Sequence, residues 1–147
     1  MKSTAVAVDA SVIVKWFVDE GAPHHSPARA IWDAVGSAQV RPLVSELALL
    51  ETGNVFALKL GWSAERVTRV VRVLLAVGRR VGAMQPEELD DASRLAAKHK
   101  LSFYDSFYWA MARALRVPLV TADEDLLAVG AGETPARFCE RLGIAFG

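Results

Sequence analysis

The sequence has few residues for disulfide or zinc chemistry. It contains one cysteine, Cys139, and three histidines in 147 residues. One cysteine cannot form an internal disulfide, and zinc sites usually combine several cysteine and histidine ligands. The histidines, His24, His25 and His99, are scattered in polar surroundings. The composition therefore argues against a zinc protein, and with no signal peptide it predicts a reducing, cytoplasmic environment.

The sequence also lacks long apolar runs and an excess of one charge. No run approaches the roughly 18 consecutive apolar residues of a membrane span, so no membrane association is expected. Seventeen basic residues balance seventeen acidic ones, so the overall charge does not indicate nucleic-acid binding. No P-loop and no nucleophile elbow is present. Any nucleic-acid function must therefore depend on how the charges are distributed.

The residues that are present predict one α/β domain over residues 1–147. The chain is 52% hydrophobic, and a domain of this size buries roughly 70% of the surface of its unfolded form. Strand patterns alternate with helical patterns, which favours a sandwich on a mainly parallel sheet. The predicted strands are 5–8, 39–42, 81–84, 117–121 and 144–146, and the long predicted helices include 43–60 and 103–116.

Two aspartates follow predicted strands directly and precede predicted helices. Asp9 ends an apolar run, and Asp123 follows the run that contains Leu119 and Val120. The carboxyl ends of parallel strands meet at one edge of a sheet, where α/β proteins place their sites. The alternative is that Asp9 or Ser11 only caps a helix, because both residue types are favoured there.

Glu51 lies within the predicted helix 43–60. At 100° per residue it falls between Leu58 and Val44, with Leu47 nearby, and the solvent side is predicted near Ser45, Thr52 and Lys59. An ionised glutamate in an apolar stripe is costly unless a cation or a donor meets it. Glu51 is thus either a metal ligand or a glutamate bonded to Asn54 at the rim of the core.

Asp105 and Asp125 have weaker signals. Asp105 stands three residues after Ser102, in the pattern of a capping box, which alone would explain an acid there. Asp125 could substitute for Asp123, or it could be an exposed acid in the first turn of a helix.

A cluster of Asp9, Glu51, Asp105 and Asp123 would require a counter-charge. Two carboxylates about 4 Å apart repel by about 4 kcal/mol at an effective dielectric near 20. An oxygen-only site with spare positions suits Mg²⁺ or Mn²⁺. Such an ion lowers the pKa of a bound water and neutralises charge on a phosphoryl oxygen.

Four segments carry a resemblance to a known family. They are Val8-Asp9-Ala10-Ser11-Val12-Ile13-Val14-Lys15-Trp16-Phe17, Glu51-Thr52-Gly53-Asn54, Ser102-Phe103-Tyr104-Asp105-Ser106-Phe107-Tyr108 and Leu119-Val120-Thr121-Ala122-Asp123. Together they resemble the PIN domain, in particular the VapC-type toxins of toxin–antitoxin pairs. Each segment is short. Their order and their spread over most of the chain make the match fairly specific.

The resemblance implies a three-layer α/β/α fold and an acidic pocket formed by Asp9, Glu51, Asp105 and Asp123. It implies Ser11, Asn54 and Thr121 as polar support for that pocket. It also implies an endoribonuclease that depends on Mg²⁺ or Mn²⁺, a homodimer, and a small antitoxin protein that blocks the site. The neighbouring Asp125 leaves the identity of the fourth ligand open.

Basic residues are concentrated between residues 59 and 80. Arg66, Arg69 and Arg72 follow i, i+3 spacing and form a stripe. The stripe is either a phosphate-contacting ridge for RNA or a solvated face opposite an inward-facing set. The predicted inward-facing set is Val67, Val70, Val71, Leu74 and Leu75.

Two other functions compete with a ribonuclease. A receiver-like module would bind Mg²⁺ without hydrolysis, but it needs paired acids after the first strand and a lysine after a late strand. Asp9-Ala10-Ser11 and Val120-Thr121-Ala122 supply neither. The second competitor is a PIN-like protein that cleaves DNA or only binds a partner.

Overall fold

A parallel sheet forms the centre of the computed structural model, which describes residues 2–80 and 82–147. Its four strands in that part of the chain are β1 (Thr4–Val8), β2 (Val40–Val44), β3 (Arg79–Arg80) and β4 (Leu119–Val120). Their spatial order is β3-β2-β1-β4, and every pairing is parallel. Ala7 of β1 pairs with Leu43 on one side and with Leu119 on the other.

Helices cover both faces of this sheet. They are α1 (Ala10–Phe17), α2 (His25–Gly36), α3 (Glu46–Asn54), α4 (Ala64–Val77), α5 (Pro86–His99), α6 (Phe103–Leu115), α7 (Glu124–Ala128) and α8 (Pro135–Leu142). A π-helical turn, Val55–Lys59, continues α3. α5 packs on α6, which contacts β1 and β4, while α2 contacts β2, α1 and α8. The predicted α/β/α sandwich is confirmed.

The sequence explains why β1 and its following helix lie at the centre. Val6, Ala7 and Val8 are fully buried, as expected for a strand with neighbours on both sides and helices on both faces. Asp9 then adopts an extended conformation and caps α1. Val12, Ile13 and Trp16 carry the buried face of α1 into the core.

The strand order fixes where a site can form. From β1 the chain moves through β2 to β3 on one side, and later returns to place β4 on the other side of β1. The order therefore reverses between β1 and β4, and ligands of open parallel sheets bind outside the carboxyl ends of the strands at such a point. Asp9 follows β1, and Asp123 lies shortly after β4.

The predicted helix 43–60 begins too early, and its last part is π-helical and not α-helical. Leu43 and Val44 belong to β2, and Ser45 caps α3 by accepting a 3.1 Å hydrogen bond from the amide of Ala48. Thr52, predicted to face solvent, is fully buried with Ala48. Leu58 is 75% exposed because the π-helical turn breaks the α-helical phase after Asn54.

Three further strand and packing predictions need correction. The third strand lies at Arg79–Arg80, while residues 82–84 form a loop and Val81 lies outside the described residues. Residues 144–146 are not a strand. Within α4 only Leu74 is fully buried, and Leu75 is 42% exposed because α4 covers an edge of the sheet.

No helix in the described ranges has the combination of length and apolar character that crossing a membrane requires.

Candidate active site

Asp9 is the most enclosed acid at the carboxyl edge of the sheet. Only 3% of the surface of this residue is exposed. Ser11 Oγ donates a 2.5 Å hydrogen bond to Oδ1, and Thr121 Oγ1 donates one of 2.5 Å to Oδ2. Burial raises the pKa of Asp9 to about 6, and the charge of Asp123 adds to this, while the donors from Ser11, Thr121 and the amide of Val12 oppose it.

The same two hydroxyl groups connect β1 to the loop after β4. Ser11 Oγ accepts a 2.9 Å hydrogen bond from the amide of Ala122, and Thr121 Oγ1 accepts one of 2.9 Å from the amide of Asp123. Each hydroxyl therefore bonds both an Asp9 oxygen and a backbone amide of the loop after β4. This network fixes the position of Asp123 relative to Asp9.

Asp123 also caps α7. Its Oδ1 accepts hydrogen bonds of 3.0 Å from the amide of Asp125 and 3.1 Å from the amide of Leu126. Asp125 follows in the first turn of α7, and one of its carboxylate oxygens lies within 4.8 Å of one of Asp123. Asp123 thus belongs both to the N-terminal cap of α7 and to the acidic site.

Asp105, Asp123 and Asp125 form an acidic cluster. One carboxylate oxygen from each lies within 4.8 Å of the others. Ser102 caps α6 by accepting a 3.1 Å hydrogen bond from the amide of Asp105, which places that side chain in the first turn. Burial raises the pKa of Asp105 to about 6, and the charges of Asp123, Glu51 and Asp125 contribute, so the carboxylates repel one another.

Glu51 reaches the site from α3 and is held by a tyrosine. Tyr108 Oη donates a 2.6 Å hydrogen bond to Glu51 Oε1. Burial, followed by the hydrogen bond and charge of Glu51, raises the pKa of Tyr108 above its ordinary value, so the phenol stays protonated and donates. Glu51 is half-buried, at the rim of the core and not within an apolar stripe.

A cavity of about 260 Å³ opens beside Glu51. Its lining includes Ser11, Asn54, Glu20 and Lys59. Lys15 Nζ donates hydrogen bonds of 2.9 Å to Glu20 Oε1 and 3.0 Å to the carbonyl of Ser11. Asn54 is exposed at this cavity, so it lies near Glu51 as the sequence suggested but has a solvent-facing position.

The structure thus brings most of the predicted residues to one edge. The acidic cluster contains Asp105, Asp123 and Asp125. Asp9 is connected to it through the hydroxyl network. The charge of Glu51 contributes to the raised pKa of Asp105. Sequence reasoning did not assign a role to Tyr108. Tyr108 lies three residues after Asp105 and therefore on the same face of the helix, and this spacing could have identified it as a residue of the site.

The predicted arginine stripe lies on α4. Arg66, Arg69 and Arg72 are all exposed. The guanidinium of Arg66 lies 3.7 Å from the centre of the Trp62 ring, which stacks on Phe56 at 4.2 Å. Arg66 is therefore held in place by an aromatic stack, and the stripe presents positive charge to solvent.

The donor set fits a hard divalent cation. Carboxylates are the oxygen ligands that Mg²⁺ and Mn²⁺ prefer, and the cluster has one exposed member that leaves room for waters. The raised pKa values of Asp9 and Asp105 show that their negative charge is poorly compensated by the protein alone. Asp105, Asp123 and Asp125 could hold a cation, with Asp9 and Glu51 beside it.

The sequence model of one family, the PIN domain, matches residues 6–132. The match spans most of the chain and contains all the acids described above. This chain belongs to the PIN domain family. The resemblance that the sequence predicted is confirmed at the level of the domain.

Several solved structures have a fold similar to that of this PIN domain. PAE2754 from Pyrobaculum aerophilum has 22% identity and a TM-score of 0.70, and the match covers 97% of this chain and 91% of that one. VapC20 from Mycobacterium tuberculosis, a toxin that cleaves the sarcin-ricin loop, has 21% identity and a TM-score of 0.67, with 85% and 95% covered. A toxin-antitoxin complex from Klebsiella pneumoniae has 18% identity and a TM-score of 0.66, with 88% and 97% covered.

At these identities the similarity concerns the fold of the PIN domain. The sequence comparison with curated proteins gave no significant match.

Proposed function

We propose that this PIN domain is a divalent-metal-dependent endoribonuclease that acts as the toxin of a toxin–antitoxin pair. The observation that carries the proposal is the acidic cluster of Asp105, Asp123 and Asp125 at the point where the strand order reverses. The buried Asp9 and the tyrosine-held Glu51 border this cluster. Hydrolysis of a phosphodiester suits such a site.

Asp105, Asp123 and Asp125 would hold Mg²⁺ or Mn²⁺. When bound, the cation supplies an activated water and neutralises charge on the phosphate. Asp9 takes part as an oriented anion, because the hydroxyl groups of Ser11 and Thr121 each hold one of its oxygens. Above pH 6 its carboxyl is ionised and adds its charge to the site.

We assign to Glu51 the role of proton acceptor. Tyr108 occupies Oε1, which leaves Oε2 for the cavity that also contains Ser11 and Lys59. The bond from Tyr108 restricts the rotation of the carboxylate, which keeps its second oxygen in position for a water in the cavity.

The exposed stripe of Arg66, Arg69 and Arg72 supports RNA as the polymer that binds. Its positive charge attracts phosphates, which the acidic cluster alone would repel. The rigid stack of Arg66 on Trp62 lowers the conformational entropy that this side chain would lose on binding.

The family and the fold support an antitoxin as a partner of this chain. Structures similar to this chain include toxin-antitoxin complexes from Klebsiella pneumoniae and Haemophilus influenzae, which supports a small antitoxin protein as its partner. We extend the proposal to a homodimer and to a cytoplasmic location, where RNA is available as the substrate.

Cleavage assays on RNA and on DNA, with Mg²⁺ and with chelator, test this function. Wild type is compared with Asp9→Asn, which keeps a side chain able to cap α1 but removes the charge. Asp33→Asn, at an exposed aspartate of α2, is the matched control. We expect wild type and the control to cleave RNA only when Mg²⁺ is present. Asp9→Asn should lose this cleavage. Cleavage in chelator would contradict the metal-dependent mechanism, and cleavage of DNA alone would favour a DNA-directed nuclease.

A further inference from the structure

Tyr104 is a large aromatic side chain exposed beside the acidic cluster. It is 62% exposed, more than its neighbour Phe103 at 47%. It occupies the second position of α6, and Asp105 is the next residue. An exposed tyrosine directly before a residue of the proposed site is placed to contact what that site binds.

The helix geometry places Tyr104 at the mouth of the site on the side of Glu51. Residues four apart lie on one helix face, so Tyr104 stands one turn above Tyr108, whose hydroxyl bonds Glu51. The Cα–Cβ bonds of a helix tilt toward its N-terminus. The N-terminus of α6 lies at the carboxyl edge of the sheet, as the proximity of Asp105 to Asp123 shows. The Tyr104 ring therefore projects outward from that edge.

The face of this ring is free to stack. The aromatic contacts within residues 2–80 and 82–147 join Trp16, Phe17, Trp32, Phe56, Trp62, His99 and Trp109. Tyr104 belongs to none of these pairs. Base–aromatic stacking is a main source of affinity for single-stranded nucleic acid, and every base offers a face to stack on.

We propose that Tyr104 is a substrate-binding residue whose ring stacks on an unpaired base next to the phosphate in the acidic cluster. The proposal rests on the ribonuclease function above. In a duplex the bases stack on one another inside the helix, and the major groove of A-form RNA is too deep and narrow for side chains to read. A ring at the mouth of the site can stack only where a base is splayed out.

Stacking would also offset the electrostatic repulsion between the acidic cluster and the RNA phosphates. Phosphates are repelled by an acidic cluster, and the arginine stripe lies on a different helix. An uncharged aromatic ring adjacent to Asp105 attracts the nucleotide without adding to the repulsion. This makes Tyr104 a residue for substrate binding and not for the chemical step.

Steady-state cleavage of a randomised single-stranded RNA pool, and of the same pool annealed to its complement, tests the proposal. Tyr104→Phe keeps the ring, while Tyr104→Leu keeps apolar bulk without a π face. Leu115→Ala removes a 39% exposed apolar side chain from the other end of α6 and serves as the control. We expect Tyr104→Leu to raise KM for the single strand about tenfold or more with kcat little changed. Tyr104→Phe should keep the KM of wild type because it keeps the stacking ring. Leu115→Ala should behave as wild type, and wild type should prefer the single strand.

A spectroscopic measurement separates stacking from a structural effect. Placing 2-aminopurine at each position around the mapped cut should give one position whose fluorescence is quenched by wild type and by Tyr104→Phe but not by Tyr104→Leu. Equal KM values for Tyr104→Leu and wild type, or equal cleavage of single strand and duplex, would overturn the stacking proposal and leave the ribonuclease function standing. Failure of wild type to cleave either RNA would overturn both.

Discussion

The hydroxyl of Thr121 donates a 2.5 Å hydrogen bond to Oδ2 of Asp9, although the two residues are 112 positions apart in the sequence. The same hydroxyl accepts a hydrogen bond from the amide of Asp123. Thr121 therefore joins the end of β1 to the loop after β4 at the place where the sheet order reverses. Together with Ser11, this buried side chain fixes the position of Asp123 relative to Asp9.

Replacing Thr121 with valine should raise the pKa of Asp9 further above about 6. The hydroxyl groups of Thr121 and Ser11 favour the ionised form, so removing either donor should raise the pKa. Valine has nearly the same shape, which keeps the buried volume filled. A carbon-detected NMR titration of the Asp9 carboxyl measures the change. Thr121→Ser restores the donor and should restore the pKa, and an unchanged pKa in Thr121→Val would contradict the role of the network.

In chelator, the stability of the protein should fall as the pH rises from about 4 to about 6. The native pKa of Asp9, about 6, lies above its ordinary value of 3.8, so the folded state binds the proton more tightly than the unfolded state. The contribution of this proton to the free energy of unfolding is complete below about pH 4 and is lost as the pH rises through about 6. For the buried Asp9 it reaches about 3 kcal/mol at most. Urea denaturation across this range gives the unfolding free energy.

Asp9→Asn is the control for this pH dependence, because asparagine keeps its shape and does not titrate. The difference in slope between wild type and this variant isolates Asp9 from the other acids. Equal slopes would show that Asp9 does not titrate near pH 6. Mg²⁺ should reverse the trend, since a cation favours the ionised carboxylates and its stabilising effect grows as they lose protons.

Removal of one charge from the acidic cluster should weaken metal binding. Asp123→Asn and Asp125→Asn should each reduce the affinity for Mn²⁺ by at least about tenfold, measured by isothermal titration calorimetry. Asparagine is as good a helix cap as aspartate, so α7 should still form in Asp123→Asn. Asp33→Asn should leave the affinity unchanged. If Asp125→Asn also left it unchanged, Asp125 would be an exposed first-turn acid and no ligand.

Tyr108→Phe should lower kcat by about tenfold or more with a small effect on KM. The variant removes the 2.6 Å hydrogen bond to Glu51 while keeping the ring, and hydrogen bonds to charged groups contribute about 1.5–3 kcal/mol. Tyr104→Phe removes an exposed hydroxyl from the same helix and is the matched control. A normal kcat in Tyr108→Phe would mean that Glu51 does not depend on this bond.

Neutralising the arginine stripe should flatten the salt dependence of RNA binding. Changing Arg66, Arg69 and Arg72 to glutamine should reduce the slope of log K against log salt by about 0.7 for each phosphate that the protein no longer neutralises. Arg94→Gln, at an exposed arginine of α5, is the control. Fluorescence anisotropy at several salt concentrations gives the slopes. Identical slopes would show that the stripe is only a solvated face.

The parts of this fold that the sequence predicted are those set by local chemistry. The apolar run before Asp9 predicts the buried strand β1, and the capping pattern at Ser102 predicts the start of α6. The acids Asp9 and Asp123 lie at the predicted edge because parallel strands share their carboxyl ends.

The parts that were missed depend on partners distant in sequence. Leu43 and Val44 have a helical pattern but pair with β1 and β3, so tertiary pairing overrides the helix. β3 consists of two arginines, which gives no apolar alternation to detect. The bond from Tyr108 to Glu51 joins two helices 57 positions apart, and no local pattern encodes it.

The π-helical turn at Val55–Lys59 adds one residue to a helical turn, and both of its end residues face the cavity beside Glu51. Deleting a single residue there would convert it to ordinary α-helix and rotate all that follows by about 100°. Lys59 would then swing away from the cavity, and Trp62 would no longer stack on Phe56. The length of this short segment, independent of its composition, thus sets the rotation of α4, which carries the arginine stripe, relative to the edge of the sheet that carries the acids.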